Sequence, residues 1–245
     1  MYLYRNIHTM YTMIRYEDEN YYFVWKPHGI PTTFGMQECF LEHIVHEKPP
    51  FFAALQHHFT KEQEYGLLNR LDNDTAGLLY FAKRPDVKQQ YKVLQSDQKL
   101  YKIYMCTVSG EMSLSYPVHG EWVVHASTPA WVFGEPLKGI LVQYPIMHHK
   151  QDAERMIAIK TDKDWQKWRG RENHVQTLFV PLEYDRKRNE TLCYAMIQQG
   201  MRHQIRVHAA AIGYPIVEDI LYGKSGGWDT RREDMELWSI GLRAL

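Results

Sequence analysis

Apolar positions recur along the chain with two different periods. In "QECFLEHIVHE", Phe40, Leu41, Ile44 and Val45 fall at helical spacing, which predicts a short amphipathic helix. "PDVKQQYKVLQSDQ" repeats the pattern with Val87, Tyr91 and Leu94 on one face and Pro85 near the first turn. Strand-like runs are Tyr21–Trp25, "GLLYFAK", "LYKIYMCTVSG" ending at Gly110, "HVQTLFVPLEY" and "TLCYAMIQ". Ahead of the first run lies an acidic turn, and behind it a loop fixed by Pro27, Gly29 and Pro31. From about Tyr116 to Tyr144, short strands are separated by Pro and Gly, and "KTDKDWQKWRGREN" reads as a charged, solvent-facing excursion. "HQIRVHAAAIGYP" predicts a short helix stopped by Gly213, with Pro215 beyond. There is no internal repeat, low-complexity tract or long linker. Helices and strands do not alternate regularly, so an α+β domain with a mostly antiparallel central sheet, flanked by helices and loops, is expected.

Composition narrows the class. A chain of 245 residues is one large domain or two small ones, with 44% hydrophobic and 24% charged residues, as in a globular protein. Formal net charge is zero, so nothing attracts a polyanion globally, and a nucleic acid partner needs a local basic patch. Cys39, Cys106 and Cys193 are widely spaced without a CxxC pair, which fits a reducing compartment and not a disulfide scaffold or zinc knuckle. No apolar run approaches membrane-spanning length and no signal-peptide core opens the chain, so a cytoplasmic protein is expected.

Two polar constellations stand out. The first is Arg70, Asp72, Asp74 and Thr75, directly ahead of an apolar strand. The second is "RHQIRVH", with Arg202, His203, Gln204, Arg206 and His208, and no acidic residue between Glu190 and Glu218. On a helix Arg202 and Arg206 would share a face, giving the basic patch that the neutral net charge calls for. Taken singly, the first is a turn with Asp side chains on backbone amides, and the second a solvated helix face. Together they pair a partly buried Asp with the distant cation it needs to stay ionised.

"RLDNDTAGLLYFAK", "KIYMCTVSG" and "RHQIRVHAAAIGYPIVEDILYG" resemble the successive motifs of the RluA-type RNA pseudouridine synthases. "YEDENYYFVWKPHGIPTT" is similar to the strand and Lys-Pro-x-Gly-x-Pro loop that opens that catalytic domain. The motifs stand in family order, and four in order are far more specific than one. The resemblance implies one catalytic domain over residues 1–245, matching from about Arg15 onward, with no separate S4-like RNA-binding domain. It implies an enzyme that isomerises uridine in structured rRNA or tRNA to pseudouridine, with no metal or organic cofactor. The expected partner is RNA, not DNA or membrane, and the expected state is a monomer.

Residue by residue, the resemblance makes Asp72 the nucleophile and Arg70 the side chain that helps flip the target base. Tyr104 would pack on the uracil, Ile205 would form an aliphatic pocket wall, and Arg206 would ion-pair with the aspartate. Arg202, His203 and Gln204 would hold the loop or meet RNA, while Asp74 and Thr75 are assigned to structure. Asn69 and Ala76 stand where the family usually has His and Ser, and one basic residue is shifted beside Met201. RNA contact is also expected from Trp165–Arg171.

The chemistry asks for these residue types in its own right. The glycosidic bond must break, the uracil turn while retained, and C5 bond to C1′. A carboxylate can attack C1′ or C6 and later depart. The nucleotide has to leave the stack to be reached. Two other classes compete: a non-catalytic RNA-binding or ribosome-assembly protein on the same fold, and a hydrolase needing a second carboxylate, for which Asp74 is the candidate. The adjacent pairs His57-His58 and His148-His149 lack metal-ligand spacing, His43 and His46 stand three apart on the expected helix as a weak metal signal, and Gly226-Gly227 reads as a turn.

Overall fold

The computed structural model describes residues 14–35, 38–115, 122–161, 164, 168–223 and 234–245. Gly226-Gly227 and the Trp165–Lys167 part of the charged excursion lie outside them. The chain forms two compact units, one of residues up to Leu100 with Trp238–Gly241, the other of Tyr101–Leu237 with Leu242–Leu245.

In the first unit, β1 (Ile14–Glu17) pairs antiparallel with β2 (Tyr21–Lys26), which pairs antiparallel with β3 (Ala76–Ala82). Asp18 closes the β1–β2 turn, its Oδ1 accepting the Asn20 and Tyr21 amides at 2.8 and 2.7 Å. β3 is buried almost throughout, which is why "AGLLYFA" is continuously apolar instead of alternating. Part of β12 (Leu237–Ala244) joins β3 in parallel, Trp238 opposite Ala76 and Ser239 opposite Gly77.

Among the described residues, three α-helices and a 3-10 turn at Glu64–Gly66 accompany these strands. α1 (Phe40–Glu47) buries Phe40, Leu41 and Ile44, and the Glu42 carboxylate caps the Cys39 amide at 3.0 Å. α2 (Pro50–His58) starts with Pro50 in its first turn and buries Phe51, Phe52 and Leu55. Its apolar spacing was present in the sequence but not among the expected elements. α3 (Pro85–Ser96) buries Val87 and Tyr91 as the periodicity predicts.

The second unit holds β4 (Leu100–Ser109), β5 (Val123–Ser127), β6 (Lys138–Val142), β10 (Thr177–Asp185) and β11 (Glu190–Ile197). They pair antiparallel in the order β4, β11, β10, β6, β5. A one-turn helix, α4 (Ala130–Phe133), precedes β6. A second antiparallel sheet runs β8 (Met156–Ala158), β7 (Ile146–His149), β9 (Trp168–Asn173). The charged excursion is therefore partly a strand, with Arg169 and Arg171 exposed on it. α5 (Gln204–Ala211) packs on this sheet, Val207 clustering with Ile146, Met156, Ala158 and Val175. It ends as predicted, with Gly213 at φ +89°. The α+β class and the mostly antiparallel pairing stand as expected.

Candidate active site

The Asp72 loop is short, and both its flanks are tied down. Asn69 is buried and bonds along β3, its Oδ1 accepting the Tyr80 amide at 2.8 Å and its Nδ2 donating to the Leu78 carbonyl at 3.3 Å. The Asn at this family-variant position thus acts as a strand neighbour, satisfying backbone groups that a buried loop would otherwise orphan. Leu71 is buried as well, and the Thr32 hydroxyl donates to its carbonyl at 2.7 Å while accepting its amide at 3.0 Å. Arg70, between these two anchors, is exposed. One long cation therefore projects from a rigid base.

The β2–α1 loop grips the other side. Gly29 donates its amide to the Asn73 carbonyl at 2.8 Å, and His28 Nδ1 meets the Asp74 carbonyl at 2.6 Å, so Nδ1 carries the proton. Lys26 is buried at the end of β2, and its Nζ donates to the carbonyls of Pro27, Ile30 and Asn73 at 2.8, 2.8 and 3.1 Å. Three carbonyls use all three donors of an ammonium, so the cage fits the charged form. Burial works against it and pushes Lys26 down to about 7, while the Asp72 and Asp74 carboxylates pull it back up. Asp72 itself is half-buried in a loop whose position is set by its neighbours' backbone. Lys26, which ties β2 to this loop, was not among the expected site residues. A Lys ending an apolar strand immediately before Pro was the available signal.

The remaining site residues belong to the second unit. Tyr104 is buried in mid-β4 opposite Ala195 of β11, and Lys102, also buried, lies two residues earlier on the same face. Burial lowers Lys102 to about 8. Ile205, Arg206, Gln204 and His203 are all buried around the start of α5. Gln204 donates to the Gln176 carbonyl at 2.8 Å and to Thr177 Oγ1 at 3.3 Å. His208 Nε2 donates to the Tyr144 carbonyl at 2.9 Å, which fixes the tautomer and leaves Nδ1 to accept from Thr177 at 2.8 Å.

The expected basic face does not form. α5 begins at Gln204, and Arg202 precedes it in a turn where His203 has φ +55°. Arg202 is exposed and donates to the Ala153 carbonyl at 3.1 Å, whereas Arg206 points into the core. Burial, helped by the Arg206 and Arg202 charges, lowers His203 to about 3, so it is neutral at physiological pH. Arg206 pairs with Asp219, Nε to Oδ2 and Nη2 to Oδ1, both at 2.8 Å. Among the described residues no group of three or more His, Cys, Asp and Glu side chains gathers to hold a metal. No helix there is long and apolar enough to cross a membrane.

Burial also lowers His208, to about 4. The unfolded imidazole takes its proton near 6.5, so between about 6.5 and 4 the unfolded chain binds more protons and stability falls as pH falls. Denaturant titrations at pH 7 and below pH 4.5 should show wild type losing up to about 3 kcal/mol that His208→Gln does not lose. Equal pH dependence in both proteins would contradict a neutral, buried His208.

The family profile described as RNA pseudouridylate synthase matches residues 20–211, and the chain belongs to that family. It is 27% identical over 212 residues to the tRNA pseudouridine(31) synthase of Saccharomyces cerevisiae, covering 85% of this chain and 46% of that one. Against the ribosomal large subunit pseudouridine synthase D of Buchnera aphidicola it is 26% identical, covering 85% and 53%. The chain spans about half the length of the curated relatives it matches. In fold it is similar to Human RNA Pseudouridylate Synthase Domain Containing 1, with TM-score 0.63, 18% identity, and 94% and 76% coverage.

Proposed function

We propose that this chain is an RNA pseudouridine synthase that uses Asp72 as its nucleophile. The observation that carries this reading is the clamped loop: Lys26, His28, Gly29 and Thr32 hold residues 71–74 by their backbone, so the Asp72 carboxylate is carried on a preset support. An attacking group held in place spares the orientation entropy that a mobile one would lose on reaching the reactive geometry.

In this reading the target nucleotide leaves the stack and Arg70, exposed between buried Asn69 and Leu71, fills its place. Asp72 attacks the ribose at C1′ or the uracil at C6. The N1–C1′ bond breaks and the uracil turns while Tyr104 and Ile205 enclose it. C5 then bonds to C1′, Asp72 departs, and the C5 proton passes to solvent. Arg206 supplies the cation that keeps the attacking carboxylate ionised. A phenol ring and an aliphatic side chain suit stacking on the base more than base-specific hydrogen bonds. The relatives named above act on transfer RNA and on the large ribosomal subunit, and we assign this chain to structured RNA of those two kinds. Its three free, buried cysteines accord with work in the cytoplasm.

Every turnover releases the hydrogen at C5. RNA carrying tritium at uridine C5, prepared from cells lacking this gene, should release tritium to water when incubated with the protein. An absence of release from every RNA pool would contradict the reading, and free uracil among the products would point to a hydrolase.

A further inference from the structure

The guanidinium of Arg206 is aimed by a turn thirteen residues further on. Its side chain is 2% exposed and that of Asp219 is 0% exposed. Asp219 takes the Nε–H and one Nη2–H in two parallel bonds. The three other N–H bonds of the fork, on Nη1 and the outer side of Nη2, therefore point away from Asp219. The carboxylate is itself fixed, since Oδ1 also accepts the amides of Leu221 and Tyr222 at 2.9 and 3.0 Å. The Asp219 carbonyl accepts the Gly223 amide at 2.7 Å, closing the turn.

The same turn covers the guanidinium from above. The Tyr222 ring centroid lies 5.4 Å from Arg206 Cζ. The Tyr222 hydroxyl accepts the Met156 amide at 2.8 Å and contacts His203 Nδ1 at 2.8 Å, so β8 and the α5 N-terminus both hold the ring. Arg206 is thus gripped at one edge and one face. A buried ion pair is a poor source of net stability, because desolvating two charges offsets most of their attraction. What this pair does supply is direction.

We propose that Asp219 is a positioning residue for Arg206: it holds the guanidinium in the orientation that the reaction requires and acts on turnover only through it. The proposal rests on the pseudouridine synthase reading. Asp219→Asn keeps the shape but turns an amide N–H toward an Arg N–H, so the guanidinium loses its fixed edge.

Single-turnover rates and RNA affinities of wild type, Asp219→Asn, Asp219→Glu, Arg206→Lys and the Arg206→Lys/Asp219→Asn double variant test this. Asp219→Asn should slow turnover about a hundredfold while RNA affinity changes less than about twofold. In the Arg206→Lys background the same change should cost less than about threefold, because the group it aims is gone. A rate for Asp219→Asn within about twofold of wild type overturns the proposal, and so does an equal loss in both backgrounds, the mark of a merely structural role. If Asp219→Asn does not fold, Asp219→Glu, which keeps the charge but displaces it by one methylene, should turn over about tenfold slower, and a wild-type rate from it is equally fatal. Wild-type protein inactive on every RNA counts against the activity reading instead. The orienting role is then read by NMR, where Arg206 Nε–H should exchange slowly in wild type and lose that protection in Asp219→Asn; protection kept in the variant overturns it.

Discussion

Asp72→Asn is expected to leave fold and RNA binding intact while turnover falls at least about a thousandfold. The substitution is nearly isosteric. Bonds to the carbonyls of Leu71, Asn73 and Asp74 and to the Leu71 amide hold the loop by its backbone, and the substitution leaves all of them in place. Removing its charge relieves Lys26 of one of two stabilising carboxylates, a modest change for a buried ammonium already bonded to three carbonyls. A carboxamide, however, is a poor nucleophile and a poor leaving group in the covalent step. Thermal denaturation and RNA gel-shift assays check the first half, and C5 tritium release the second. A variant that keeps a tenth or so of wild-type turnover would remove Asp72 from the nucleophile's role.

Gly77→Ala should be the most damaging single-methyl change among those the structure describes. Gly77 has φ +116°, and a Cβ there would run into the backbone nitrogen and oxygen of Ser239, its parallel partner on β12. Backbone cannot move aside as a flexible side chain does, so β3 and β12 would have to separate or distort. The conformation and the collision together should cost about 3 kcal/mol or more. Gly213→Ala is the control, since φ is +89° but nothing lies within 4 Å, and only the conformational strain of about 1 kcal/mol remains. Urea midpoints compare the two. Equal, small losses would mean that the β3–β12 contact is not what Gly77 serves.

The sequence could be read wherever one periodicity or one short motif governed an element. Phe40, Leu41 and Ile44 marked α1, Val87 and Tyr91 marked α3, and Gly213 marked the end of α5. The Asp72 motif was legible because Arg, Asp and an apolar strand follow one another within a few residues. What escaped depends on groups that meet only after folding. β12 pairs in parallel with a strand some 160 residues earlier, and "LWSIGLRA" alternates too weakly to announce it. Asp219 lies just past the acid-free stretch after Glu190, and no helical spacing links it to Arg206 across an intervening turn. Arg202 and Arg206 matched an i, i+4 face only on the premise that both were helical. The left-handed His203 between them breaks that face, exposing one arginine and burying the other.

Whether this chain is an Asp72-dependent synthase is decided by mapping pseudouridine across all cellular RNA in cells carrying the wild-type gene, no gene, or the Asp72→Asn gene. At least one uridine in structured RNA should be pseudouridine with wild type, unmodified without the gene, and still unmodified with Asp72→Asn. No difference among the three strains, or full restoration by Asp72→Asn, would contradict it.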